Sequence, residues 1–307
     1  CKSSLLIFSL VYHDKACFTN NIFLLFDSLG KTDEKRNKGN SLWGEKGGNT
    51  HAYAGGADDG TYGACGMILE RRGVKAHKAW FYFDNEYVCL GSGISAEERE
   101  APIYTTLNQT NMDGKVTYSA KGKSHVVTEE AQPSNVDWVM HGGVAYFNLR
   151  PQSKFRIGCM NKLFSLNIDH GARPANEQYA YIVKPRHTSA KAADRYANRH
   201  PIAILANTEI LQAVRNKKSD ITEAVFYQPG TLAIDADHSI AVDAPCVVVW
   251  NEKKGTMAVA NPQCESVELK EINVTLTHKG GGKSVTNFVL PQGEMAGKSV
   301  VKEINKG

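Results

Sequence analysis

Residues 78–109 read KAWFYFDNEYVCLGSGISAEEREAPIYTTLNQ, and the way this stretch divides sets the fold. An aromatic strand, Ala79-Trp80-Phe81-Tyr82-Phe83, meets a turn at Asp84-Asn85-Glu86. A second strand, Tyr87-Val88-Cys89-Leu90-Gly91, runs into Gly-Ser-Gly and an acidic loop, and a third, Ile103-Tyr104-Thr105-Thr106-Leu107, ends at Asn108-Gln109. Aromatic and β-branched side chains suit a pleated, half-buried surface, while polar residues at the breaks supply turn geometry. Three such strands in succession predict an antiparallel meander in a large β-sheet.

The same signals continue on both sides. From residue 62 to 148 strand signals recur at a spacing of about ten residues, the pattern of a sandwich rather than of alternating βα units. Trp138-Val139-Met140-His141 and Val144-Ala145-Tyr146-Phe147 read as adjacent strands joined at Gly142-Gly143. One segment predicts a helix: residues 189–198, SAKAADRYAN, open on a Ser cap, are rich in Ala and stop before Pro201. Lying between Tyr179-Ala180-Tyr181-Ile182-Val183 and Ile202-Ala203-Ile204-Leu205, it is expected to cross over a sheet edge. Strands then resume at Ala224-Val225-Phe226-Tyr227, Ile240-Ala241-Val242, Cys246-Val247-Val248-Val249-Trp250, Thr256-Met257-Ala258-Val259-Ala260 and Ile272-Asn273-Val274-Thr275-Leu276. The chain is therefore all-β and divides into an N-terminal segment over 1–50, a central β domain over 51–205 and a smaller β-sandwich over 206–307.

Composition sets outer limits. In 307 residues, 42% hydrophobic and 22% charged, there is material for a sizeable core, and the net charge of +4 is mild and scattered. A nucleic-acid partner would call for a basic stripe interleaved with aromatics, which is absent. The apolar runs Leu5-Leu6-Ile7-Phe8-Ser9-Leu10-Val11 and Ile22-Phe23-Leu24-Leu25-Phe26 fall short of the roughly 20 residues that span a bilayer, so no membrane span is expected. They read as a pair of strands. Seven cysteines (Cys1, Cys17, Cys65, Cys89, Cys159, Cys246 and Cys264) include no C-x-x-C pair, against zinc and dithiol chemistry. Cys89 and Cys246 sit within apolar strands as core thiols. Residues 30–60, rich in Gly, Lys and Asn, read as loop.

Three groupings invite chemistry, and each has a plainer reading. Gly91-Ser92-Gly93 lacks the following helix that a phosphate loop needs and reads as a turn. Asp58, Asp59 and Asn49 offer hard oxygens but not the pattern of a calcium loop, and read as a solvated loop. His141 and Tyr146 lie close on a strand pair as base and acid would, yet a His between apolar strands is more often structural. The sequons at Asn108 and Asn273 matter only in a eukaryotic secretory route. No catalytic residue, substrate-binding residue or metal ligand is assigned from spacing.

Several stretches, taken in order, resemble polysaccharide lyase family 8, the chondroitin AC, hyaluronate and xanthan lyases. Residues 55–63, GGADDGTYG, resemble its G-G-x-x-D-G-x-Y-G turn, and residues 78–84 with 88–94 resemble K-x-W-F-F-F-D…V-x-L-G-x-G-I. Thr105-Thr106-Leu107-Asn108-Gln109 resembles T-T-L-N-Q, and residues 138–146 resemble W-x-x-H-x-x-x-x-Y. Residues 179–185, YAYIVKP, with Ile204-Leu205-Ala206-Asn207-Thr208 and Gln212-Ala213-Val214, match the run into the C-terminal sandwich. The likeness covers about 51–265, and the chondroitin AC branch is nearest.

The resemblance implies a galactose-mutarotase-like supersandwich, present in part, followed by a small C-terminal β-sandwich. It implies β-elimination on an acidic polysaccharide, chondroitin sulfate or hyaluronan, acting outside the cell or in the periplasm. Such a reaction must neutralise a uronic carboxylate, remove the C5 proton and protonate the leaving oxygen. In the family an Asn, a His, a Tyr and Arg residues do this from an N-terminal helical toroid, which this sequence lacks. Calcium enters only through the resemblance: residues 1–50 match neither the family's T-E-N-x-N-type stretch nor its W-x-W…P-G-T-T stretch. Trp43 with Gly47-Gly48-Asn49-Thr50 is a degenerate echo. The chain alone is expected inactive, and the rival expectation is a non-catalytic glycosaminoglycan-binding module.

Overall fold

The computed structural model describes residues 22–23, 49, 51–71, 73–98, 100–187, 189–263 and 269–304. Its centre is a nine-stranded antiparallel sheet. In spatial order the strands are Ala54–Asp58, Gly63–Arg71, Val74–Phe83, Glu86–Ser95, Glu177–Pro185, Val144–Asn148, Val136–His141, Val116–Ala120 and Lys123–Val127. Over it lies a five-stranded sheet: Ile22–Phe23, Pro102–Asn111, Leu163–Ala172, Lys154–Met160 and Glu130–Ala131. The C-terminal part holds a six-stranded sheet (Ile202–Asn207, Leu211–Asn216, Ile221–Phe226, Cys246–Asn251, Thr256–Ala260 and Val300–Glu303). A four-stranded sheet (Gly230–Ala233, Ser239–Val242, Glu271–Thr277 and Lys283–Val289) packs on it.

The four sheets stack as layers because the large sheet is apolar on both faces. Val74, Ala76, Cys89, Tyr179, Tyr181 and Val183 point to one side and pack with Ile103, Phe155, Ile157, Phe164 and Leu166 of the five-stranded sheet. Ala79, Phe81, Val88, Leu90, Ala180 and Ile182 point to the other and pack on Val214, Ile221, Val225, Val247 and Val249 of the six-stranded sheet. That sheet's opposite face, with Ala213, Ala224, Phe226 and Val248, closes a third core against Ile240, Ile272, Leu276 and Phe288. A strand covered on both faces reads as a near-continuous apolar run, which is what Cys246–Asn251 shows.

The meander expected over 78–109 holds for its first two strands only. Val74–Phe83 pairs with Glu86–Ser95, with Trp80 opposite Cys89. The other edge of Glu86–Ser95 is taken by Glu177–Pro185, with Tyr179 opposite Gly91. With both edges filled, Pro102–Asn111 has no place beside it and crosses to the five-stranded sheet, where it pairs with Leu163–Ala172. Gly91-Ser92-Gly93 is likewise not a turn. It lies inside Glu86–Ser95, which continues through a register shift to Ser95.

The loop expected over 30–60 gives way at its end to the edge strand Ala54–Asp58, paired with Gly63–Arg71. The helix forms at Ala190–Arg199, capped by the Ser189 side chain, which accepts from the Ala192 amide. It packs on the face of the large sheet near its edge rather than over the edge itself. Ala193 is buried there, and the Trp138 indole N–H donates to Asp194 Oδ1 at 2.7 Å. Of the two N-terminal apolar runs, Ile22–Phe23 pairs with Pro102–Asn111, and 5–11 lies outside the described residues. Among the described residues no helix is long and apolar enough to cross a membrane.

Candidate functional site

The polar residues that the sheets bring together form three groups. His141 and Tyr146 face the core between the two upper sheets, both against the Phe164 ring. His141 Nε2 accepts from the Asp113 amide at 2.8 Å, and burial pushes its pKa down, so the ring is neutral. The Tyr146 hydroxyl accepts from Asn108 Nδ2, and burial pushes the phenol far up. Both side chains are buried, so the pair sits in packing rather than in a cleft. Asn108, of the first sequon, is engaged in the same contact.

Asp58 and Asp59 also do more than face water. Asp58 Oδ1 accepts from the Gly60 amide, and Asp59 Oδ1 accepts from the amides of Thr61 and Tyr62, closing the turn. Asp59 Oδ2 accepts from Asn251 Nδ2, and the Asp58 amide donates to Ser299 Oγ, tying the turn to the second sandwich. Asn49 instead bridges the Glu70 amide and the Ile68 carbonyl. These oxygens are spent on main-chain and seam contacts. Among the described residues no three His, Cys, Asp or Glu side chains converge as a cation site. This donor set does not fit calcium.

The second group is the seam between the sandwiches, which spacing did not reveal. The Tyr227 hydroxyl donates to Gln212 Oε1 at 2.6 Å, with the Lys78 carbonyl 3.1 Å away. Gln212 Nε2 donates to Asn207 Oδ1 at 2.7 Å, and Asn207 Nδ2 reaches the carbonyls of Gly91 and Tyr179. Ser92 Oγ donates to the Thr208 carbonyl, and the Tyr53 hydroxyl to that of Phe226. The His77 and Tyr53 rings lie against Tyr227 at 4.7 and 4.8 Å. Gln212 and Ser92 are fully buried, so the network joins the halves and admits no substrate. The signal that would have found it is Gln212 alternating with Val214 on an inward face.

The third group lies beside the helix. Glu86 holds the Lys184 ammonium at 2.5 Å and accepts from the Tyr196 hydroxyl at 2.6 Å, with Lys184 4.8 Å from the Tyr196 ring. Carboxylate, amine and phenol are the residue types of acid–base chemistry. Burial and the Glu86 charge, however, push the Tyr196 phenol far above its ordinary range, so it holds its proton. A shallow groove of about 310 Å³ nearby is lined by Asn148, Leu149, Pro151, His200, Ile202 and Ile204, which is mostly apolar. The cluster anchors the helix and the groove offers no paired catalytic groups.

The free thiols Cys89 and Cys246 are buried in strands as expected, with burial pushing Cys89 to about 12.

Comparison with known proteins agrees with an arrangement of two successive β-sandwich domains. The super-sandwich domain of polysaccharide lyase family 8 matches residues 28–162, and the family's C-terminal beta-sandwich domain matches 203–270. The first match begins inside the stretch 1–50. Chondroitinase-AC of Pedobacter heparinus is 36% identical over 282 residues, covering 84% of this chain and 39% of that protein. A hyaluronate lyase of Thermasporomyces composti is 27% identical, over 70% of this chain and 30% of that one. Among solved structures, chondroitinase AC lyase in oligosaccharide complexes superposes with a TM-score of 0.73 at 31% identity, over 82% of this chain and 40% of that one. Paenibacillus xanthan lyase, at 21% identity and a TM-score of 0.68, shares the fold. The chain thus spans about two-fifths or less of the relatives it matches, and it belongs to polysaccharide lyase family 8.

Proposed function

We propose that this chain is the β-sandwich portion of a lyase that cleaves an acidic polysaccharide, chondroitin sulfate or hyaluronan, by β-elimination. In this reading the stacked sandwiches are a rigid scaffold closing one wall of the substrate cleft. The groups that neutralise the uronic carboxylate, take the C5 proton and protonate the leaving oxygen belong to a helical toroid outside the described residues. The observation that carries the reading is the ordered match of both sandwich domains to the family, with 36% identity to a chondroitinase-AC. The burial of His141 and Tyr146 supports it, because a base and an acid sealed in a core meet no polymer. In this reading the polysaccharide is met outside the cytoplasm, in the periplasm or beyond the cell.

Calorimetric titration with chondroitin sulfate and hyaluronan oligosaccharides tests the scaffold role. A single wall of a cleft gives no saturable binding below the millimolar range. Saturable submillimolar binding would overturn the scaffold reading in favour of a free-standing glycan-binding module.

A further inference from the structure

Glu223 is the one acidic residue in the strand Ile221–Phe226, and it shares the inward face of that strand with Ile221 and Val225. It is fully buried at the seam, against the large sheet near Gly63 and Tyr82. The main-chain amides of Tyr82 and Gly63 point toward the carboxyl, yet neither oxygen closes a hydrogen bond of good geometry. Its sheet neighbours, Val214 and Val249, are apolar. The titratable groups that act across the seam are Asp59 and Tyr62 from the turn and Cys65 from Gly63–Arg71. Asp59 already accepts from Thr61, Tyr62 and Asn251, and the Tyr62 hydroxyl donates to Asp84. Each of these neighbours is acidic or neutral, so none offers Glu223 a countercharge.

We infer that Glu223 makes the joint between the two sandwiches acid-favoured: the halves hold together most tightly while its carboxyl keeps its proton, and the seam opens more readily as that proton is lost. The physical argument is one of desolvation. An ionised carboxylate without a countercharge is strongly disfavoured in a closed apolar seam, whereas the protonated acid tolerates it. Burial accordingly pushes Glu223 well above its ordinary value of 4.5. When the seam opens the carboxyl meets water and ionises at that ordinary value. The sign follows: the closed state is fully favoured below about pH 4.5, and above it each opening releases a proton, so closure weakens as pH rises toward the closed-state pKa. Tyr62 and Cys65 are both held above their ordinary values and keep their protons between pH 5 and 8, so the comparison with a variant changed only at 223 isolates the carboxyl.

The test is hydrogen exchange followed by mass spectrometry on the whole chain from pH 5 to 8, corrected for intrinsic exchange, with E223Q alongside. Seam peptides over 53–65 and 221–227 are compared with peptides over 163–172 and 271–277, which lie in the outer sheets. The expected result is that native seam opening rises relative to E223Q as pH increases, by at most about tenfold per pH unit, while the outer sheets do not change. E223M, which removes the titrating group altogether, serves where E223Q does not fold and is expected to behave the same way. A native-to-variant ratio that does not change with pH would overturn the inference. So would a pH-dependent loss spread evenly over all four peptides, because Glu223 would then titrate with global unfolding and not with the seam.

Discussion

Gln212 carries more of the seam than any other side chain, because it accepts from Tyr227 through its carbonyl and donates to Asn207 through its amide. Gln212→Ala removes both bonds from a fully buried position and leaves the Tyr227 hydroxyl only the Lys78 carbonyl, and it is expected to lower stability by about 1–3 kcal/mol, read as a shift in the denaturant midpoint. Gln212→Glu places a further acid near the seam, in addition to Asp59 and Glu223, and is no conservative rescue. Lys78 is a different kind of buried polar residue. It lies between the two upper sheets, 1% exposed, with its ammonium 5.4 Å from the Trp80 ring, and burial pushes its pKa down to about 7. The unfolded chain protonates this lysine below about 10.5, and the folded chain does so only below about 7. The penalty is therefore complete below pH 7 and fades as pH rises to 10.5. Lys78→Met is expected to raise the melting temperature at pH 6 and to lose most of that advantage by pH 10. A variant that melts lower at both pH values would show that Lys78 contributes contacts worth more than its desolvation costs. In sequence, Lys78 stands out only as the first residue of a family-like stretch. Gln212 and Glu223 stand out only once the alternation of Val214 and of Ile221 with Val225 shows that they point inward. Periodicity marks a face, but it does not say what covers the face.

At the scale of elements, the strand Glu86–Ser95 shows both what patterning delivers and where it stops. Its alternation is plain in Val88, Leu90, Cys89 and Ile94, which divide between two cores. Its partners are not plain, because the second one, Glu177–Pro185, arrives some eighty residues later, and only its arrival excludes Pro102–Asn111 from the sheet. Long-range pairing of this kind leaves little local trace. The glycines of the strand do leave one. A Cβ on Gly91 would stand 2.1 Å from Tyr179 Cε1, and Gly93 has φ +61 with the Glu209 side chain against it. The motif is thus a requirement for close packing under an aromatic ring and not a ligand loop. Gly91→Ala is expected to destabilise the chain by about 2 kcal/mol or more, since backbone and ring must both shift. Gly60→Ala, where nothing lies within 4 Å, changes only a left-handed turn residue and is expected to cost about half as much. Equal losses at the two sites would remove the packing argument. The helix Ala190–Arg199 was legible for the opposite reason: its Ser cap and Ala-rich run are local.

For the molecule as a whole, four stacked sheets share three continuous cores, and the acidic, basic and phenolic groups described above are engaged in structural contacts. His141 and Tyr146 serve packing, Glu86 with Lys184 and Tyr196 anchors the helix, and Asp58 with Asp59 closes a turn against the second sandwich. The family was legible because its motifs are strand and turn motifs that the architecture needs. The site was not legible, because the residues that resemble the family are those that build the layers. The central claim is that these layers are a scaffold and that the chemistry of elimination lies outside them. It is tested most directly by following the ultraviolet absorbance of unsaturated uronic product while the purified chain, shown to be folded by its β-sheet circular dichroism, is incubated with chondroitin sulfate and with hyaluronan. The account predicts no rise above the protein-free control with either polymer. A steady rise that scales with the amount of folded chain would contradict it and would place the reacting groups within the sandwiches.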